Sequence, residues 1–166
     1  MSTKKTKILG IDPGLTTIGF GLIEVFERNI KLLDYGIIST EKGEPMEKRL
    51  LKIFNETDSL LLKLKPNMVG IEDLFFYKNQ KTAMIVGQAR GAILVACAKN
   101  NKKILHLTPL QIKLNITGYG RATKQQMKKM VEQELKYSDK IKSDDTIDAI
   151  ATALCAYFIT RQNNRQ

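Results

Sequence analysis

The sequence of 166 residues is poor in soft metal ligands, with two cysteines and a single histidine. Cys97 and Cys155 both lie in apolar, helix-like runs, so we expect reduced core thiols rather than a disulfide or a metal site. His106 stands alone after an apolar stretch and is interpreted as structural. Without a Cys/His cluster, any metal would have to be held by oxygen ligands, which argues against zinc.

Long apolar runs are also missing. The longest run, roughly residues 91–98, is too short to span a bilayer, and the polar start MSTKKTK has no apolar segment of a secretory signal behind it. No repeat, linker or low-complexity tract divides the chain, which is long enough to bury a core without disulfides. We therefore expect one cytoplasmic domain over residues 1–166, with a frayed tail from about residue 161.

Acidic residues are scarce relative to basic ones: 17 Asp and Glu stand against 27 Lys and Arg, for a net charge of +10. The excess is concentrated between residues 99 and 142, where eleven basic residues face three acidic ones. Such a skew is typical of proteins that bind a polyanion, most often nucleic acid. A solvated surface that keeps the protein soluble is the alternative, and charge alone does not separate the two.

The spacing of apolar residues predicts the element order βββαβαβααα. Strands are predicted over residues 7–13, 17–25, 30–40, 68–73 and 103–107. Helices are predicted over residues 45–64 and 80–100, after Thr108-Pro109, from near Thr123, and from a Ser143 cap to about Arg161. A meander followed by alternating helices and strands indicates an α/β fold, with a mixed five-stranded sheet covered by helices on both faces.

Four acids lie where structural roles are scarce. Asp12 closes the first predicted strand and Glu72 closes the fourth, while Asp145 and Asp148 are three residues apart and share a helix face. Simpler readings exist, since an Asp before Pro-Gly is a common turn residue and acids favour the first turn of a helix. Asp148 resists such a reading, because it stands between apolar residues on a helix that must pack on the sheet.

If the two strands are neighbours and the last helix packs beside them, the four carboxylates converge. Two bare carboxylates about 4 Å apart repel by roughly 4 kcal/mol at an effective dielectric near 20. Such a cluster requires protons or divalent cations, and oxygen-only ligands favour Mg²⁺ or Mn²⁺. Two such ions, about 3.5–4 Å apart, serve phosphodiester displacement in nucleases. A metal-dependent nuclease is thus the leading hypothesis.

Four segments together resemble the RuvC family of Holliday junction resolvases: LGIDPG (9–14), IEDLFFYKN (71–79), GQARG (87–91) and DTIDAIATAL (145–154). The resemblance implies a ribonuclease-H-like fold, a homodimer, and Mg²⁺-dependent, paired symmetric nicking of four-way DNA junctions in recombination and repair. It also implies the branch-migration proteins RuvA and RuvB as partners. The family's catalytic, metal-binding acids match Asp12, Glu72, Asp145 and Asp148, and the D-x-x-D spacing selects Asp145 rather than Asp144.

The resemblance also implies residues that contact DNA or a second subunit. Phe75 matches an aromatic residue that stacks on a base near the junction, and Lys113 and Lys124 match basic positions near DNA. Gly87 and Gly91, four residues apart, lie on a helix that the family places at its dimer interface. The alternatives are a core or dimer contact for the aromatic residue, a solvated surface for the lysines, and internal packing for the glycines. Roles stay open for five further residues: Phe76, Tyr77, Arg121, Lys128 and Lys129.

Two rival functions remain at this point. One is another ribonuclease-H-like nuclease acting on RNA or RNA–DNA hybrid, which the same acid cluster could serve and which only substrate preference separates. The other is a non-cleaving junction-binding protein. The presence of all four acids argues against the second, because binding alone needs none of them.

Overall fold

The computed structural model describes residues 5–73, 80–136 and 141–163, and its elements follow the predicted order. The strands are β1 (Thr6–Asp12), β2 (Thr17–Phe26), β3 (Asn29–Ser39), β4 (Met68–Glu72) and β5 (Lys103–Leu107). The helices are α1 (Met46–Leu64), α2 (Gln80–Lys99), α3 (Pro109–Thr117), α4 (Lys124–Leu135) and α5 (Asp144–Asn163).

The five strands form one mixed sheet in the order β3-β2-β1-β4-β5. The first three strands are an antiparallel meander, while β4 runs parallel to both β1 and β5. The central strands β1 and β4 are buried along almost their whole length, as expected where helices cover both faces. The predicted mixed sheet is confirmed.

Two apolar layers enclose this sheet. Helices α1 and α2 pack on one face against residues such as Leu9 and Val69, and helices α3, α4 and α5 pack on the other against Ile8 and Met68. Cys97 belongs to the first layer and Cys155 to the second, and both thiols are buried and free, as predicted. In the part of the chain that the structure describes, no helix is long and apolar enough to cross a membrane.

Helix α5 lies unusually close to the sheet because glycines replace side chains beneath it. A Cβ on Gly10 would lie 2.0 Å from the carbonyl oxygen of Ala149, and a Cβ on Gly19 would lie 1.9 Å from that of Asp145. Gly21 and Gly70 make room for the same helix. Gly10 is the direct cross-strand neighbour of both Gly21 and Gly70. Three adjacent strands therefore lack side chains along one row under the helix. Glycine inside a strand marks such close approach, but this row was not recognised from the sequence.

Side-chain caps set where the helices around the site begin. Thr108 forms a capping box with Gln111 at the start of α3, and Thr123 forms one with Gln126 at the start of α4. The hydroxyl of Ser143 accepts a hydrogen bond of 3.4 Å from the backbone of Thr146, so the predicted cap of α5 is confirmed.

Candidate active site

The site begins at the carboxyl ends of two neighbouring parallel strands. β1 and β4 pair with Ile11 opposite Ile71, so Asp12 and Glu72 follow at the same level of the sheet. Side chains alternate across a strand, and Asp12 therefore points to the same face as Ile8, which lies beneath α5. Glu72 faces that side for the same reason. The predicted proximity of these two strand ends is confirmed.

The other two acids come from the first turns of α5. Gly19, the cross-strand partner of Asp12, lies directly beneath the backbone of Asp145. This contact sets the start of the helix beside the end of β1. One turn further on, Asp148 interacts electrostatically with both Asp12 and Glu72. The tertiary structure thus brings together all four acids that the sequence singled out.

Crowding and burial disfavour the ionised forms of these acids. Burial, followed by the nearby carboxylates of Glu72, Asp148 and Asp145, raises the pKa of Asp12 to about 8. Burial and the Asp148 carboxylate raise the pKa of Glu72 to about 7. A hydrogen bond joins the two carboxyl groups, and it favours a proton on Asp12. Without cations, the cluster holds protons at pH values where exposed carboxylates have lost theirs.

Two lysines border the cluster. An open cleft of about 230 Å³ is lined by Glu72, Asp148, Lys113 and Lys124. Apolar residues of α3, of α4 and of the loop between them complete it. The ammonium of Lys124 lies 3.5 Å from an oxygen of Asp144 and 4.0 Å from one of Asp148. Burial raises the pKa of Asp148, and Lys124 partly opposes that shift. The two lysines predicted to lie near DNA therefore lie at the mouth of the acid site.

The donor chemistry of the cluster fits a hard divalent cation. All four side chains offer carboxylate oxygens, which Mg²⁺ prefers, and three of them carry a raised pKa that a cation would lower. Within residues 5–73, 80–136 and 141–163, no three acid, histidine or cysteine side chains are arranged to hold a metal ion as they stand. A cation that binds there would displace the proton that the raised pKa of Asp12 favours.

Asp73, the neighbour of Glu72, forms an ion pair with a basic side chain of the same chain. The guanidinium of Arg90 donates a hydrogen bond to its carboxylate. The two acids of the Glu72-Asp73 pair thus differ in their surroundings. Sequence reasoning did not identify Arg90, although it lies within the GQARG segment, because nothing local shows which carboxylate it meets.

The remaining predicted residues fall in three places. Phe75, with Phe76 and Tyr77, lies outside the described residues. Among the basic residues left open, Lys128 donates a hydrogen bond of 2.9 Å to the carbonyl of Ile141 and so supports the approach to α5. Arg121 and Lys129 are exposed.

The helix that carries Gly87 and Gly91 presents an apolar surface to solvent. Among residues 5–73, 80–136 and 141–163, no atom beyond its chain neighbours and its own helix backbone lies within 4 Å of a Cβ placed on Gly91. Met84 and Val95, which lie towards the same side, are 69% and 59% exposed. Packing against the described residues of the same subunit therefore does not explain Gly91.

The sequence is similar to known proteins of one family. The family model of the crossover junction endodeoxyribonuclease RuvC matches residues 8–156. The RuvC of Caldicellulosiruptor saccharolyticus is 46% identical over 150 residues, covering 90% of each chain. That of Alkaliphilus oremlandii is 45% identical over 148 residues, covering 89% of this chain and 90% of the relative.

Solved structures extend the comparison to the fold. Thermus thermophilus RuvC in complex with a Holliday junction substrate superimposes with a TM-score of 0.89 at 31% identity, covering 95% of this chain and 96% of the other. The yeast mitochondrial resolvase Ydc2 shares the fold at 16% identity with a TM-score of 0.66, covering 96% of this chain and 84% of the other. The ribonuclease-H-like fold is thereby confirmed, and the chain belongs to the RuvC family of crossover junction endodeoxyribonucleases.

Proposed function

We propose that this endonuclease resolves four-way DNA junctions by paired symmetric nicks, with Asp12, Glu72, Asp145 and Asp148 as its catalytic carboxylates. The observation that carries the proposal is the convergence of these four acids beside a cleft bordered by lysines. Burial raises the pKa of three of them, Asp12, Glu72 and Asp148. A protein that only binds DNA gains nothing from four mutually repelling carboxylates, since phosphates are themselves anionic.

The same four acids would hold two Mg²⁺ ions, with Mn²⁺ as a possible substitute. When bound, two such ions activate water and stabilise the charge of the attacking and leaving oxygens of a phosphodiester. The protein's contribution is a rigid base for the ligands, because Asp12 and Glu72 end two paired strands and α5 rests on glycines. Asp145 and Asp148 approach from the helix, so the cluster has ligands on two sides.

Lys113 and Lys124 are suited to hold the DNA backbone over the acids. Lys113 acts electrostatically on both Glu72 and Asp148, which places its charge inside the cleft rather than out in solvent. Lys124 is largely exposed and pairs weakly with two acids. Both ammonium groups can contact a phosphate that enters the cleft, and each contact releases counterions and adds affinity.

The cleft could accept any DNA backbone, so selectivity for junctions needs further features. We propose two: an aromatic residue that stacks on a base, and a homodimer. Phe75, in the segment that follows Glu72, would stack on a base opened near the crossover, as the family resemblance implies. A homodimer would supply two acid clusters for paired nicks. The exposed Met84 and Val95 beside the open Gly91 are suited to close packing against a second copy of α2, with Gly87 part of the same surface.

The wider setting follows from family membership alone. We propose one nuclease domain over residues 1–166, in the cytoplasm, working with the branch-migration proteins RuvA and RuvB. These remain predictions, and pull-down with purified RuvA and RuvB tests the partnership.

The experiment that tests the activity compares three labelled substrates: a synthetic four-way junction, a linear duplex of the same sequence, and an RNA–DNA hybrid. Each is incubated with and without Mg²⁺. We expect nicks at symmetric positions of the junction only, and only with the metal. Preferred cleavage of the hybrid would instead indicate the other nuclease function considered above.

Substitution of the acids tests their assignment. Asp12→Asn, Glu72→Gln, Asp145→Asn and Asp148→Asn should each abolish nicking while junction binding persists, because the affinity comes chiefly from cationic side chains. Asp144→Asn is the matched control, since Asp144 is an exposed acid on the same helix turn. A wild-type nicking rate in any one of the four variants removes that residue from the catalytic set.

A further inference from the structure

One half-buried guanidinium joins three elements behind the acid site. Arg90 belongs to α2, and its side chain is only 16% exposed. Its Nε donates a hydrogen bond of 3.3 Å to the backbone carbonyl of Glu72, and its Nη2 donates to the carboxylate of Asp73. The same Nη2 also contacts Nδ1 of His106, at the end of β5. The contacts thus tie α2 to the last residues of β4 and to its neighbouring strand.

These contacts lie where the backbone leaves the sheet. β4 ends at Glu72, and the next amide, that of Asp73, donates a hydrogen bond of 2.7 Å to the carbonyl of Leu107. The peptide that joins the two acids is therefore held on one side by β5 and on the other by Arg90. Because the carbonyl and the side chain of Glu72 share one Cα, fixing this peptide restricts the direction of the Glu72 carboxylate.

Arginine is chemically suited to this position. Its planar guanidinium donates along several fixed directions at once, whereas a lysine ammonium is a compact point charge on a flexible stem. The carboxylate of Asp73 balances the charge of Arg90, so the guanidinium does not draw the Glu72 carboxylate away from Asp12.

We propose that Arg90, held by Asp73 and His106, is the positioning residue for Glu72. Arg90 contacts the backbone carbonyl of Glu72 and the carboxylate of Asp73, and it acts by fixing the carboxyl end of β4. The inference rests on the proposed role of Glu72 as a catalytic, metal-binding carboxylate. Groups that orient metal ligands in this indirect way typically contribute about 10–100-fold to metal affinity or activity.

The test uses the full-length variant Arg90→Gln, which retains hydrogen-bonding capacity but loses the charged fork. We expect the single-turnover nicking rate of prebound junction to fall about 10-fold or more, and the Mg²⁺ concentration for half-maximal rate to rise. Junction affinity measured in EDTA should stay within about twofold, because Arg90 contacts protein rather than the cleft. The rise in melting temperature caused by Mg²⁺ should shrink, which reports on the site without any turnover.

Three further variants separate positioning from general stability. Lys99→Gln is the matched control, because Lys99 also forms an ion pair from α2, at 2.7 Å to Asp58, but far along the helix from Arg90. It should leave nicking and Mg²⁺ dependence unchanged. Arg90→Lys should rescue activity only in part. Asp73→Asn should weaken nicking in the same direction, and combining it with Arg90→Gln should add little, since both act through one contact.

Several outcomes would overturn the proposal. A wild-type nicking rate and Mg²⁺ response in Arg90→Gln would show that Glu72 does not depend on Arg90 for its position. Full activity in Arg90→Lys would show that only the positive charge of Arg90 matters, and not its planar set of donors. Loss of folding stability with equal loss of junction binding and nicking would make Arg90 a general anchor of the fold. A wild-type protein that fails to nick junctions contradicts the proposed function instead, and the Mg²⁺-induced melting shift of Arg90→Gln then still decides the positioning role.

Discussion

Removing the Asp12 carboxylate should stabilise the metal-free protein, and the gain should grow with pH. An aspartate ionises near its ordinary value of 3.8 in the unfolded chain, whereas burial and nearby carboxylates raise the pKa of Asp12 to about 8 in the fold. Between these values the folded protein retains a proton that the unfolded chain has lost. The stability associated with this group is therefore fully present below about pH 3.8 and is lost as pH rises through about 8.

The size of the effect follows from the shift. One pKa unit corresponds to about 1.4 kcal/mol, so the full shift would give an upper bound of about 6 kcal/mol at pH 8. Asp12→Asn also loses the favoured hydrogen bond to Glu72, so we expect about half of that, near 3 kcal/mol, at pH 8 and about 1 kcal/mol at pH 5. For a chain of this length, 3 kcal/mol raises the melting temperature by about 6–12 °C.

Thermal unfolding in EDTA at pH 5 and pH 8 measures the gain, and a repeat with Mg²⁺ measures the coupling to metal. Mg²⁺ should raise the melting temperature of the wild type more than that of Asp12→Asn, since the variant lacks one ligand. Asp58→Asn is a control in which the change in folding stability should have the opposite sign, because hydrogen bonds from Lys99 and Asn100 lower the pKa of Asp58. It should destabilise at both pH values. The reasoning is refuted if Asp12→Asn is no more stable than the wild type at pH 8, or gains equally at both pH values.

Three further predictions test the proposed DNA-binding residues and the packing of α5 on the sheet. Lys113→Ala and Lys124→Ala should each reduce the slope of log Kd against log salt concentration for junction binding by about 1, the equivalent of one counterion. An unchanged slope would assign that lysine to the solvated surface. Phe75→Ala should cost about 1–3 kcal/mol of junction binding and lower the signal of a fluorescent base analogue at the crossover, with duplex binding unchanged. A large fall in melting temperature, with junction and duplex binding failing together, would instead make Phe75 a core residue. Gly19→Ala should destabilise the fold by about 3 kcal/mol or more and impair nicking, because its Cβ would lie 1.9 Å from the Asp145 carbonyl oxygen. Gly43→Ala should be neutral, because no atom of the described residues beyond its two chain neighbours lies within 4 Å of its Cβ. Equal melting temperatures for these two variants would contradict the close packing of α5 against β2.

The order and bounds of the elements could be read from the sequence because local signals specify them. Apolar spacing at periods of two and 3.6 residues separates strands from helices, and Thr123 and Ser143 mark helix starts by chemistry that acts within one turn. The four acids were also visible, since each either ends a strand or shares a helix face with another acid. The D-x-x-D spacing then allowed Asp145 to be preferred over Asp144.

Tertiary structure alone decided how those pieces meet, because the deciding contacts join residues far apart in the chain. Gly19 and Asp145 are 126 positions apart, yet their approach determines where the last helix begins relative to the end of β1. Arg90 could have paired with any acid, and only the packing of α2 against β4 selects Asp73. The raised pKa of Asp12 likewise has no local cause, since it arises from burial and from carboxylates on two other elements. Local sequence thus determined which residues could form the site, and long-range packing determined their distances, partners and charge states.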